Sequence, residues 1–164
     1  MAASARKTAK TPQPMVPPSG FEELVRSVEL IGVHLVSSNS SCGEHALPPD
    51  FHGDLEVVHR STKFAYQVHN NPEVLQCGVK LGLDVGPALK EAKPVASLEA
   101  EYTVLYRLPD GFQPSTEAIK FFAATNAVFN AWPFFRELVH SLVARMGMPP
   151  LMVPLLKLPP TVPK

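Results

Sequence analysis

Cysteine is nearly absent from this chain, with only Cys42 and Cys77 among 164 residues. Two cysteines so far apart do not make a disulfide framework, and they fit a reducing compartment better than an oxidising one. Charge is also scarce: Asp, Glu, Lys and Arg make up 18% of the chain, against a usual figure of about 25%. Neither sign is in excess, since 15 basic residues balance 15 acidic ones. That balance gives no electrostatic reason to expect nucleic acid or an anionic membrane as partner. Uninterrupted apolar runs are missing as well. The longest apolar region, residues 146–163, is broken by Pro149, Pro150, Pro154, Pro159 and Pro160, which forbid a spanning helix. No integral membrane segment is expected, and residues 1–19, rich in Ala, Ser, Thr, Pro and Lys, lack the apolar core of a secretory signal and read as a disordered arm.

What is present is apolar surface. Hydrophobic residues make up 45% of a chain whose length suits one domain. Little charge and much apolar side chain imply surface hidden in an oligomer or displayed as a binding patch.

Periodicity gives the elements. A short helical turn fits residues 20–28, and a strand follows over 28–38 with apolar residues on both faces, so both faces are expected to be covered. Residues 55–70 carry two alternations of opposite parity. Leu55 and Val57 share one, while Phe64, Tyr66 and Val68 share the other, which requires a bulge or break near Ser61. Leu75, Cys77, Val79, Leu81, Leu83 and Val85 alternate with polar residues or glycine, and Tyr102, Val104, Tyr106 and Leu108 repeat the pattern. Such one-sided strands, with no helix between them, predict an antiparallel meander of about four strands. Ser115 or Thr116 caps a helix to about Asn126, and a second helix runs over 127–146, where Val128, Trp132, Phe135, Val139, Leu142, Val143 and Met146 form an apolar stripe. Pro133 either kinks that helix or marks its first turn, and Gly147 stops it. The fold class is α+β, a four-stranded antiparallel sheet followed by two helices, over a domain of 20–158 with a flexible tail at 159–164.

No chemistry stands out. Cys42, His45 and His52 cluster in sequence but fall short of the four paired ligands of a structural metal site. The Ser-rich turn at 37–42 lacks the glycines and lysine of a phosphate loop, and Gly78 and Gly82 are strand glycines. No cofactor, metal or catalytic residue is expected, and the chain reads as no enzyme. The stronger signal is aromatic: Phe112, Phe121, Phe122, Phe129, Trp132, Phe134 and Phe135 crowd a short stretch and give the last helix apolar groups on more than one side.

The stretch NAVFNAWPFFRELVHSLVARMGMPPLMVPLLKL, residues 126–158, resembles the C-terminal signature of the SecB export chaperones. Shared features are an aromatic before Pro133, the step to Arg136, Arg145 near the helix end, Gly147 and a proline-containing extended tail. The resemblance implies a cytoplasmic homotetramer, a dimer of dimers joined through sheet edges and helices. It implies ATP-independent holding of unfolded client polypeptides in apolar grooves, keeping preproteins export-competent for the translocation ATPase SecA. By position, the polypeptide-binding candidates are Tyr102, Tyr106, Phe122, Phe129, Trp132, Phe134 and Leu151. Typical members are acidic with an acidic tail, whereas this chain is neutral and ends TVPK. The alternative role is that of the SecB-like proteins that protect the antitoxin of a toxin–antitoxin pair.

Overall fold

The computed structural model describes residues 15–43, 55–60, 62–70, 73–87, 94–148 and 151–156. A first helix, α1 (Phe21–Ser27), precedes strands β1 (Glu29–Cys42), β2 (Leu55–His59), β3 (Lys63–Asn70), β4 (Glu73–Pro87) and β5 (Ala96–Arg107), which are followed by α2 (Thr116–Phe122) and α3 (Val128–Arg145). Most of the expected arm, at 1–14, and the tail at 159–164 lie outside the described residues, as do His45 and His52.

The sheet is antiparallel throughout, in the order β1-β5-β4-β2, with β3 also on β4. β2 and β3 are two halves of one edge position. β3 pairs with the first half of β4 and β2 with the second. Val57 faces Val85 and Tyr66 faces Cys77, so the partners on β4 keep one parity while the edge strand gains one residue between its halves. The parity switch read near Ser61 is this insertion, and it turns an expected four strands into five. The expected meander needs correction: β3, β4 and β5 follow in order, but β1 lies beside β5 at the far edge, as in a Greek key. Pairing with β5 also carries β1 through Cys42, opposite Ala96, so the serines at 37–41 are ladder and not turn. Strand content follows the available neighbour more than intrinsic preference.

One face of the sheet is core. Leu75, Cys77, Val79, Leu81, Leu83 and Val85 on β4 and Leu98, Ala100, Tyr102, Val104 and Tyr106 on β5 are all buried. Phe122, Ala131, Phe135, Val139 and Val143 pack over them from the helices. Burying a side chain of this size stabilises by about 1.5–3 kcal/mol, and these residues carry most of the fold. The other face is polar, and there Lys80 pairs with Glu99 at 2.7 Å while the Ser97 hydroxyl donates to Asp84 at 2.6 Å. The Lys80 ammonium holds the Glu99 carboxyl below its ordinary range.

The two expected helices form one helical run. Ser115 caps it, its side chain accepting from the Ala118 amide at 3.2 Å. A π-helical stretch, Ala123–Ala127, joins α2 to α3, and within it the Thr125 hydroxyl donates to the Phe121 carbonyl at 2.7 Å. Pro133 sits inside α3, not at its start. At the far end Gly147 takes φ +69°, and the Met148 amide bonds back to the Val143 carbonyl at 3.2 Å. That left-handed stop is the one Gly147 announces in the sequence.

Candidate functional site

α3 runs over the middle of the sheet and leaves two flanks. Its register on β5 is set by two tyrosines. Asn130 donates to the Tyr106 hydroxyl at 2.8 Å, and the Glu137 carboxylate adds to burial in pushing the Tyr102 phenol up to about 12. Burial likewise raises the Tyr106 phenol. Neither tyrosine ionises under ordinary conditions, so both serve as packing and hydrogen-bonding groups. Phe134 falls four residues after Asn130 and three before Glu137, on the same side of the helix.

The flank toward β4 is closed by the chain itself over its β2 half, while on the β3 half Phe64 and Val68 stay exposed. After Gly147 the segment 151–156 runs back along α3 without regular secondary structure. Trp132 donates its indole N–H to the Pro154 carbonyl at 3.1 Å, and Arg136 donates Nε–H to the Val153 carbonyl at 2.9 Å. Leu151 and Val153 are buried, whereas Met152 and Leu155 are 81% and 71% exposed. Beside this segment a cavity of about 360 Å³ opens between Trp132, Leu81, Leu155 and His59. The His59 ring lies 5.1 Å from the Trp132 ring, and burial lowers its pKa. Arg60, in the gap between β2 and β3, crosses β4 over Gly82. Its guanidinium donates to the Leu98 carbonyl at 3.0 Å and stands 3.6 Å from Asp84, while its amide bonds to the Gly82 carbonyl at 2.9 Å. A Cβ at Gly82 would sit 3.0 Å from Arg60 Nε, so the bare strand position makes room for the crossing.

Among the described residues the flank toward β1 is open. Leu30 pairs with Tyr106, Val33 with Val104 and Leu35 with Tyr102, which places all three on the face that α3 covers. Yet Leu30 is 46% and Leu35 49% exposed, and Phe134 is 46% exposed. Two irregularities in the β1–β5 register, after Leu30 and after Leu35, leave Ile31 and Val36 exposed too. Among the described residues β1 is paired on one side only, so its outer edge offers unpaired backbone groups.

The seven expected binding residues therefore divide. Tyr102, Tyr106, Phe122, Trp132 and Leu151 are packed inside the subunit, with Tyr106 and Phe122 edge to face at 4.8 Å. Of the seven, Phe129 and Phe134 present ring surface, Phe129 at 52% exposure one turn before Trp132 and Pro133. Apolar groups missed by the reading of the tail are on β1. Their signal was the two-faced pattern of 28–38, which implied cover on both faces that the described residues do not supply. Among the described residues no helix is long and apolar enough to cross a membrane, and no cluster of His, Cys, Asp and Glu could hold a metal.

No family model matches the chain. A stretch of 77 residues, 45% of the chain, is 34% identical to the SecB-like chaperone Rv1957 of Mycobacterium tuberculosis strain ATCC 25618 / H37Rv. It is equally identical to the SecB-like chaperone MT2006 of strain CDC 1551 / Oshkosh. The match spans 42% of the length of these curated relatives. Among solved structures, the Mycobacterium tuberculosis Rv1957 SecB-like chaperone in complex with a ChAD peptide from Rv1956 HigA1 antitoxin superposes with a TM-score of 0.67. The superposition covers 82% of this chain and 95% of that one at 21% identity. The antiparallel sheet with helices laid on one of its faces is the α+β fold of that SecB-like chaperone, and over 77 residues the chain is similar in sequence to two SecB-like chaperones.

Proposed function

We propose that this protein is an ATP-independent holding chaperone for non-native polypeptide, with the antitoxin of a toxin–antitoxin pair as its dedicated client. The observation that carries the reading is the open apolar flank, where Leu30 and Leu35 stay about half exposed although they lie on the core face of the sheet, with Phe134 of α3 exposed to a similar degree. Such surface binds by area and asks little of client sequence, which suits an unfolded chain. The structural neighbour was solved with an antitoxin peptide bound, which favours an antitoxin over a preprotein as client. The wider expectation of preprotein export through SecA rests on the shared fold alone, and the neutral charge balance provides no acidic surface excess to steer that motor.

Assembly belongs to the same reading. A dimer of dimers would pair the edge of β1 and cover the exposed ring of Phe129 on α3, leaving room for client along the β1 flank. The exposed Cys42 thiol near that edge stays free in a reducing cytoplasm.

The test is suppression of aggregation. An antitoxin or another reduced, aggregation-prone client refolding beside stoichiometric protein should scatter less light. Phe134→Asp, folded by circular dichroism, should lose at least about tenfold in client affinity through the removed ring area. Unabated aggregation with the wild-type protein would sink the holding role, and size exclusion with light scattering decides the tetramer.

A further inference from the structure

We infer that residues 151–156 occupy a polypeptide-binding seat in cis, and that an extended apolar client segment docks along α3 by displacing them. The inference rests on the holding role and adds a second, regulated seat on the flank of α3 opposite the one lined by Leu30 and Leu35. Three features of the segment are those of a bound peptide and not of an integral wall. It carries no helix or strand pairing of its own. Its side chains alternate in burial, with Leu151 and Val153 inward and Met152 outward, as an extended peptide in a groove presents them. It is held through consecutive main-chain carbonyls, Val153 by Arg136 and Pro154 by Trp132. A carbonyl is common to every polypeptide, so these two donors recognise extended backbone without reading its sequence.

The seat also widens at the end of the segment. The cavity that Leu155 and Leu156 share with Trp132, Leu81 and the β2–β3 gap is apolar on most sides and has room for a further client side chain beside them. A competitor tethered a few residues from Gly147 acts at an effective concentration on the order of millimolar, so it excludes weak ligands and yields to a client that fills both seat and cavity. Regulation of this kind sets a threshold for engagement without ATP.

The sign of a single substitution tests it. Val153→Ser weakens the occupant and leaves the donors in place, so the full-length variant should bind a reduced, tryptophan-free unfolded polypeptide roughly tenfold more tightly than the wild type. If the segment were instead part of the groove wall, the variant would bind more weakly or unchanged, and the inference would fall. A second readout does not depend on the variant folding. In the wild-type protein, saturating client should speed amide hydrogen exchange at 151–156 and shift the emission of Trp132, the single tryptophan. Slower exchange there overturns displacement. Absence of client binding by wild type and variant alike removes the holding role itself, whereas binding that Val153→Ser leaves unchanged or weakens removes only the part assigned to the segment.

Discussion

Along α3, the side toward β4 and the side toward β1 are made of similar material. Both present apolar side chains on the core face of the sheet and aromatic rings on the helix. On the β4 side, Leu151 and Val153 lie over that surface, and two side-chain donors hold the carbonyls of Val153 and Pro154. On the β1 side no described segment does so, and Leu30, Leu35 and Phe134 stay about half exposed. The difference teaches that exposure here is set by where a covering segment happens to run, not by the polarity of the surface. Covering a residue of this size is worth about 1.5–3 kcal/mol, so the open flank stores the free energy that a client or a second subunit would release.

The strongest way to break the comparison is to remove the floor that both flanks share. Phe135 is fully buried beneath α3, and Phe135→Ala should destabilise by about 3–5 kcal/mol in urea denaturation, opening both sides together. A smaller effect should come from Arg60→Ala on the closed side. That change deletes the charged hydrogen bond to Leu98 and the ion pair to Asp84, both partly exposed, and should cost about 1–2 kcal/mol while loosening the β2–β3 gap beside the cavity. Least of all should follow on the open side: Leu35→Ser, already half exposed, should change monomer stability by no more than about 0.5 kcal/mol. A large stability loss for Leu35→Ser at low protein concentration would show that this flank is packed after all; a loss that grows with concentration would report subunit contact.

Much of the frame was legible in residue order. The alternation of β4 and β5 predicted which residues are buried, and the parity switch in 55–70 located the inserted residue between β2 and β3. Ser115 and Gly147 marked both ends of the helical run through local backbone chemistry. The tail motif led to the right fold, and the structural comparison agrees. Less legible was what depends on non-local pairing. β1 lies beside β5, and its serine-rich end becomes strand only because Ala96 and its neighbours wait opposite. The π-helical joint between α2 and α3 has no periodic signature, and the side of α3 on which the tail lies is not written in the tail. Of the seven rings and side chains expected to line a groove, five turned inward because a helix over a sheet has room beneath it for large groups, and apolarity alone does not tell inside from outside.

The sequence by itself determined the period of each element, the points where helices begin and end, and the surplus of apolar side chain over charge, because those follow from backbone conformational preference and composition. Only the tertiary structure decided that β1 forms an edge among the described residues, that Trp132 and Arg136 are held to the chain's own carbonyls, and that Phe134, Leu30 and Leu35 stay about half exposed. Those outcomes depend on which segments meet across long stretches of chain, and local preference carries no information about distance partners that packing alone selects.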